Sequence, residues 1–201
     1  MKKLTIDFYK RENVVLIARE LLGKIIVTNI DGITTSGRIV ETEAYNGITD
    51  KASHAYAGRR TTRTEPMYGS AATAYVYFCY GMHHLFNIVT NQKDIPHAVL
   101  VRAVEPLQGI EDMLIRTGKK KLDYTLTKGP GNVAKALGIN KLHTGLNLLS
   151  NTIFISEDDY AIDETQVSSS PRIGVAYAAE DALLPYRFFI KGNPFVSAKP
   201  R

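Results

Sequence analysis

A single mixed α/β domain, of the α+β kind, is what this sequence predicts, and three observations carry the reading. Its 201 residues, 44% of them hydrophobic and 22% charged, suffice for one domain with a sizeable core, and no internal repeat or linker divides them. Helical periodicity is confined to short stretches, whereas the remaining apolar runs are β-branched or aromatic and read as strands. An Asp31-Gly32 pair between two such runs is a hairpin signal, which makes neighbouring strands antiparallel.

In chain order, residues 7–22 carry a helical pattern, with Val14, Ile17, Ala18 and Leu21 on one face and Gly23 as a stop. Residues 24–30 form a strand, Asp31-Gly32 turns the chain, and residues 33–45 return beside it. The segment 47–70 is long and irregular, and segments of that length inside a domain are functional or disordered. Strands follow at 73–80, 85–90 and 98–104, the last ended by Glu105-Pro106. Residues 107–117 read as a helix stopped by Gly118, and the basic run Lys119-Lys120-Lys121 follows it. Lys128-Gly129-Pro130-Gly131-Asn132 opens a short helix at 133–137. Strands are predicted at 152–156, 172–176 and 186–191, with 157–170 an exposed loop and 193–201, which holds two prolines, an extended tail.

Within this frame, residues 38–45 concentrate chemistry. Alternate strand residues share a face and lie roughly 6.5–7 Å apart, so Glu41, Glu43 and Tyr45 point the same way. Acidic residues on a strand are most often its solvated face; two carboxylates and a ring ending at a turn also suit a polar pocket with a flat wall. Arg102 interrupts a strand that is otherwise apolar, so it needs a carboxylate partner, for which Glu41 and Glu43 are the candidates. In the tyrosine-rich strand, Tyr75, Tyr77 and Cys79 face one way, while Tyr80 sits at the tip against Gly81. The run Arg59-Arg60-Thr61-Thr62-Arg63-Thr64 alternates guanidinium cations with hydroxyls, groups that bind phosphate oxygens. A glycine-rich turn feeding a helix, as at 128–132, also suits phosphate. It lacks the spacing and Lys-Ser/Thr pair of a nucleotide-binding loop, and no GxGxxG follows a strand, so neither a nucleoside triphosphate nor a dinucleotide is expected. His83 and His84 face opposite ways on an extended chain, and no metal site is predicted there.

Composition narrows the classes further. One cysteine, Cys79, excludes an internal disulfide framework and a multi-cysteine zinc site, and fits a reducing cytoplasm. A net charge of +5 and a pI near 9.2 permit a polyanionic partner. No apolar run follows Met1-Lys2-Lys3, so no signal peptide is expected, and no run approaches the ~18–20 residues of a membrane helix.

Several long motifs then stand in one order: Ala18-Arg19-Glu20-Leu21-Leu22-Gly23, Gly37-Arg38-Ile39-Val40-Glu41-Thr42-Glu43-Ala44-Tyr45, Tyr75-Val76-Tyr77-Phe78-Cys79-Tyr80-Gly81-Met82, Asn87-Ile88, Val99-Leu100-Val101-Arg102-Ala103-Val104-Glu105-Pro106, Lys128-Gly129-Pro130 and Arg172-Ile173-Gly174-Val175. Over residues 18–197 the chain resembles the alkyladenine (3-methyladenine) DNA glycosylase family, as a bacterial member. The resemblance implies a single compact domain with a curved antiparallel sheet and peripheral helices. It implies hydrolysis of the N-glycosidic bond of a damaged purine flipped out of duplex DNA, leaving an abasic site, in base-excision repair. By motif, Glu43 resembles the base that activates water, with Arg102 and the Val175 carbonyl holding that water. Tyr45 and Tyr77 resemble the aromatic walls, His54 the pocket histidine, Asn87 the asparagine that screens purines, and Tyr80 the wedge filling the vacated duplex. Arg59, Thr61 and Lys128, with the amides of Gly129 and Gly131, would contact the DNA backbone. Departures lie at His83 and Asn132, where vertebrate members carry a tyrosine and a lysine, and at 122–127.

The resemblance further implies no metal or organic cofactor, no membrane, no protein partner and a monomer in the bacterial cytoplasm, acting on double-stranded DNA containing damaged purines. No lysine sits in the pocket motifs, which implies cleavage without a Schiff base. Glu41 is expected to support Arg102. Two other classes stay in view. A carbohydrate-active hydrolase could use Glu41 and Glu43 as an acid–base pair, although the chain has no tryptophan to stack on sugars and such an enzyme has no use for the arginine–threonine run. A non-catalytic nucleic-acid-binding module would keep the cations and tyrosines without needing Glu43 near Arg102.

Overall fold

The computed structural model describes residues 1–197, so positions 198–201 of the predicted tail lie outside the described residues. Nine strands and four α-helices follow one another as β1 (Lys2–Lys3), α1 (Ile6–Tyr9), α2 (Val14–Glu20), β2 (Ile25–Ile30), β3 (Ile33–Tyr45), β4 (Ala74–Cys79), β5 (His83–Thr90), β6 (His97–Gln108), α3 (Ile110–Thr117), α4 (Pro130–Ala136), β7 (Ile153–Glu157), β8 (Val167–Ser170) and β9 (Arg187–Ile190). All pair antiparallel in one open sheet of order β1-β7-β2-β3-β6-β5-β4, with β8 and β9 branching from β3. The chain is thus a single α+β domain.

Strand β3 is the axis. One edge pairs with β6 almost throughout. The other edge pairs with β2 as far as Arg38 and with β9 from Glu41 onward. Two compensating bulges lie here: Val40 is extra on β3, and Arg102 is extra on β6, so Arg102 and Ala103 both oppose Glu41. Bulges re-aim side chains, and this one turns the Arg102 guanidinium onto the carboxylates of β3. Gly37 is required nearby, because a Cβ there would stand 2.7 Å from the Val104 side chain.

The main core fills the space between one face of the sheet and the helices, with Ile17, Leu21, Ile39, Val101, Met113, Val133 and Leu137 all buried. Each such side chain contributes about 1.5–3 kcal/mol. The opposite face is covered by the segment 47–70 and by the chain after β8, with Ala55, Met67, Tyr68, Tyr75, Val89 and Ala98 packed together. Strand β3 is therefore buried on both faces, and Glu41 and Glu43 are each 0% exposed, so the solvated-face reading fails.

Several boundaries differ from expectation, each for a local reason. The helix over 7–22 is two helices, because Asn13 caps the second by accepting from the Leu16 amide at 3.0 Å. Glu105-Pro106 does not end β6: Pro106 pairs with Gly37 at a register shift, where its missing N–H is tolerated, and the strand runs to Gln108. Helix α3 consequently starts at Ile110, after Gly109 at φ 72°, and α4 starts early, with Pro130 in its first turn. The predicted loop 157–170 contains β8, whose Val-Ser-Ser-Ser sequence carries no apolar alternation. The predicted strand 172–176 does not form; Gly174 takes φ 79°, Arg172 is clamped to Asp50, and Val175 opens a 3₁₀ stretch over Ala176–Leu183.

Candidate active site

Glu43 lies near the C-terminal end of β3, and three donors converge on its carboxylate. The Ile173 amide donates to Oε1 at 2.7 Å, the Tyr45 hydroxyl donates to Oε2 at 2.8 Å, and Arg102 Nη1 lies 3.3 Å from Oε2. The turn at 172–175, misread as a strand, is what carries the Ile173 amide there. Oε1 therefore keeps one lone pair free of protein donors among the described residues.

Glu41, two residues earlier, is built differently. Its Oε1 accepts from Arg102 Nε at 2.8 Å, Arg187 Nε at 2.7 Å and Ser197 Oγ at 2.7 Å, and its Oε2 accepts from the Ser197 amide at 2.6 Å. Burial opposes its ionisation, but the Arg102 and Arg187 guanidiniums outweigh burial and hold the carboxyl below the usual range. Neither Glu41 nor Glu43 is among the residues that line the neighbouring cavity, but Glu43 is joined to it through the hydroxyl of Tyr45, which does line it. A pair of carboxylates working as acid and base would need both free to meet a substrate, and the four donors on Glu41 deprive the carbohydrate-hydrolase reading of its second group. Arg102 bridges the two glutamates and donates through Nη2 to Ser197 Oγ at 3.2 Å.

The cavity beside Glu43 is lined by Tyr45, His54, Tyr75, Tyr77, Asn87 and Tyr177, among others, and holds about 330 Å³ of empty space including its open mouth. Tyr45 and Tyr77, from β3 and β4, both line it. The His54 ring meets Tyr77 edge-on at 4.6 Å between centroids, and its Nδ1 lies 2.9 Å from the Tyr75 hydroxyl. Burial, with the Arg63 and Arg59 cations, pushes His54 down to about 4, so its ring is neutral at pH 7. Burial also pushes the Tyr45, Tyr75 and Tyr77 hydroxyls up. Asn87 is buried, and its amide nitrogen donates to the carbonyls of Tyr75 at 3.0 Å and Leu85 at 3.3 Å. Both hydrogens being committed, Asn87 offers the cavity its acceptor oxygen.

Behind Tyr45 lies an ion pair, Arg172 with Asp50, that sequence reasoning missed. Arg172 is buried, donates to Asp50 at 2.5 and 2.8 Å and to the Ala44 carbonyl at 2.9 Å, and lies 4.9 Å from the Tyr45 ring centroid. Asp50 in turn accepts from the amides of Asn46 and Ala52. This pair fixes the chain on both sides of Tyr45. Val175 packs with Ala52 and Ala178 beside Tyr45, and its carbonyl accepts from the Ala178 amide at 2.9 Å, leaving one lone pair.

Tyr80 stands outside the cavity at the β4–β5 tip, 83% exposed. It and Gly81 occupy the centre of a turn closed by Met82 N–H donating to the Cys79 carbonyl at 3.2 Å, with φ of 50° and 68°. Gly81 suits that conformation, whereas for a bulky residue positive φ costs about 1–3 kcal/mol. His83, just beyond, packs on Gly131 so closely that a Cβ there would meet its ring at 2.7 Å; among the described residues no three potential metal ligands gather.

Arg59 and Thr61 are exposed, with the Thr61 hydroxyl 3.2 Å from that of Thr64. Arg60 is not free: it pairs with Glu65 and Asp94. Lys128 donates to the Pro194 carbonyl at 3.3 Å, Gly129 has φ 92°, and Asn132 ties α4 to Thr125 and Lys128. No helix among the described residues is long and apolar enough to cross a membrane.

The methylpurine-DNA glycosylase (MPG) family matches residues 7–194. A protein of Clostridium perfringens (strain 13 / Type A) is 44% identical over 201 residues, covering 96% of this chain and 98% of its own. One from Bacillus cereus (strain G9842) is 46% identical over 191 residues, covering 91% and 93%. One from Desulfitobacterium hafniense (strain Y51) is 42% identical over 206 residues, covering 99% and 100%. Each carries the provisional name 3-methyladenine DNA glycosylase. With a buried carboxylate beside an aromatic slot and a match along almost its whole length, the chain belongs to the methylpurine-DNA glycosylase family.

Proposed function

We propose that this DNA glycosylase of base-excision repair takes an alkylated or deaminated purine out of duplex DNA into the Tyr45–Tyr77 slot and hydrolyses its N-glycosidic bond with a water activated by Glu43. The observation that carries the reading is the placing of Glu43: a buried carboxylate with one lone pair free of protein donors among the described residues, on the same strand face as a tyrosine of the slot and hydrogen-bonded to it. A base inside a duplex is out of reach, and flipping it costs a few kcal/mol. Stacking against aromatic rings returns roughly 1–3 kcal/mol per base, and an N-alkylated purine, being cationic, interacts further with the ring faces.

The chemistry follows from the donors. Water binds between Glu43 Oε1, the Val175 carbonyl and Arg102, gives its proton to Glu43, and attacks the sugar carbon as the base departs. The same carboxylate stabilises the positive sugar in the oxocarbenium-like transition state. His54 contacts the base or sugar edge, and Asn87, presenting its acceptor oxygen, screens purines by their exocyclic group. No lysine lines the cavity among the described residues, so the product is an abasic site rather than a cut strand. Arg59, Thr61, Lys128 and the Gly129 and Gly131 amides contact backbone phosphates, and affinity falls as salt rises. Double-stranded DNA is the partner; the protein acts as a monomer in the cytoplasm.

The test is incubation with duplexes carrying hypoxanthine, ethenoadenine or methylated purines: alkali-labile sites are expected, and their absence on every damaged purine defeats the reading. Tyr80 supplies an independent check as the wedge. Tyr80→Asn keeps a residue that tolerates positive φ, so stability should hold or rise by up to about 1 kcal/mol. Preference for damaged over undamaged duplex should fall about tenfold in an equilibrium binding titration, and an unchanged preference removes the wedge role.

A further inference from the structure

The three nitrogens of the Arg102 guanidinium point to three different partners. Nε donates to Glu41 Oε1 at 2.8 Å, Nη2 donates to Ser197 Oγ at 3.2 Å, and Nη1 lies 3.3 Å from Glu43 Oε2. A guanidinium is a rigid planar fork, so two of these contacts decide where the third nitrogen goes. The contact to Glu43 is the longest of the three, and its placing follows from the other two.

Of those two, Glu41 belongs to the same strand as Glu43. Ser197 does not. It arrives at the end of the chain's last segment, 95 residues beyond Arg102 and 156 beyond Glu41. Residues 193–197 belong to no strand. They are tied down by Asn193 Nδ2 donating to Glu105 Oε2 at 2.9 Å, by the Phe195 ring edge-on to Tyr124 at 6.2 Å between centroids, and by Lys128 Nζ donating to the Pro194 carbonyl at 3.3 Å. The segment thereby delivers both the amide and the hydroxyl of Ser197 to Glu41.

The hydroxyl serves both charges through one atom. Its proton goes to Glu41 Oε1 at 2.7 Å, and a lone pair of the same oxygen accepts from Arg102 Nη2. Among side chains of this size only a hydroxyl does both. Ser197 Oγ is the one partner of Nη2 among the described residues. Glu41 and Arg102 are both buried, so bulk water is a poor substitute for it.

We propose that Ser197 is a positioning residue: its hydroxyl fixes the turn of the Arg102 guanidinium and so holds Nη1 against Glu43 and the attacking water. The inference rests on the Glu43-activated cleavage proposed above. Without the Nη2 anchor, the guanidinium keeps one short contact, at Nε, and swings about it. Nη1 then leaves Glu43 for part of the time, and the rate falls with the fraction of molecules in which the constellation is complete. Ser197 does not line the slot, so its loss acts on the chemical step and not on capture of the base.

Single-turnover excision from a damaged duplex tests this, with the wild-type protein, Ser197→Ala and Ser197→Thr, each with a melting curve. Both variants keep the backbone amide that donates to Glu41, and both are expected to fold. Ser197→Ala should lower the maximal rate constant about tenfold and leave the half-saturating protein concentration within about twofold of the wild type. Ser197→Thr, which keeps the hydroxyl, should restore the rate. A double-mutant cycle with Arg102→Lys isolates the route. Lysine keeps the charge but has no Nη2, so in that background Ser197→Ala should cost no more than about twofold. A Ser197→Ala protein at full rate, a loss confined to the half-saturating concentration, or an undiminished loss in the lysine background overturns the proposal. A wild-type protein that excises no damaged purine overturns the glycosylase reading and this inference with it.

Discussion

Glu43→Gln is expected to lower single-turnover excision of a damaged purine by at least about 10³-fold while binding of the damaged duplex persists. The amide cannot take a proton from water, and it carries no charge to oppose the positive sugar. Its local geometry also predicts a modest structural cost. If the new oxygen accepts from the Ile173 amide, the new NH₂ faces the Tyr45 hydroxyl, which can turn to accept, and Arg102 Nη1, which cannot. One unmade buried hydrogen bond is worth about 1–3 kcal/mol, so circular dichroism and a melting curve belong beside the rate. A folded variant that excises at the wild-type rate would remove Glu43 from the chemistry.

The second large effect concerns stability. Arg187 is fully buried and shares Glu41 with Arg102. Arg187→Met keeps the volume of the stem but withdraws one of the cations that compensate a buried carboxylate. Breaking such an arrangement typically costs about 3–5 kcal/mol, which for a chain of this size lowers the melting temperature by roughly 10 °C. The sign with pH follows from Glu41. Its folded pKa is depressed below the ordinary 4.5, so its contribution is present above that value and is lost as the pH falls through the folded one. The deficit of Arg187→Met should therefore be full at pH 7 and shrink at acidic pH, once Glu41 takes up a proton and no longer needs a cation. Urea denaturation at the two pH values measures this; a deficit that stays constant, or is absent at pH 7, contradicts the network's role.

Much of the site was legible in the residues before any fold was known. The alternation of Glu41, Glu43 and Tyr45 needs only the period of a strand. Arg102 in an apolar run demanded a carboxylate, and both candidates are its partners. The common face of Tyr75 and Tyr77 follows from the same period, and both line the cavity. What escaped was long-range. Asp50 and Arg172 are 122 residues apart, and Glu41 and Arg187 are 146 apart; each looks like an ordinary charged residue in its own neighbourhood. The β-branched look of Arg172-Ile173-Gly174-Val175 promised a strand, but burying the Arg172 guanidinium on Asp50 imposed a turn that local propensity could not reveal. Arg60 and Arg63 illustrate the same limit: identical residues in one run, one paired with two carboxylates and the other left at the slot.

The continuous hydrogen bonding of β3, on one edge to β6 and on the other to β2 and then β9, has a consequence for timescale. Amides of this kind exchange with deuterium only when the whole domain opens, whereas a hairpin tip held by a single turn bond exchanges through local fraying. The amides of residues 41–44 should be among the last in the chain to exchange, and those of Tyr80 to Met82 among the first. The exposed hairpin tip can then rearrange by local fraying, while the Glu43 carboxylate stays registered to its partners for as long as the protein remains folded.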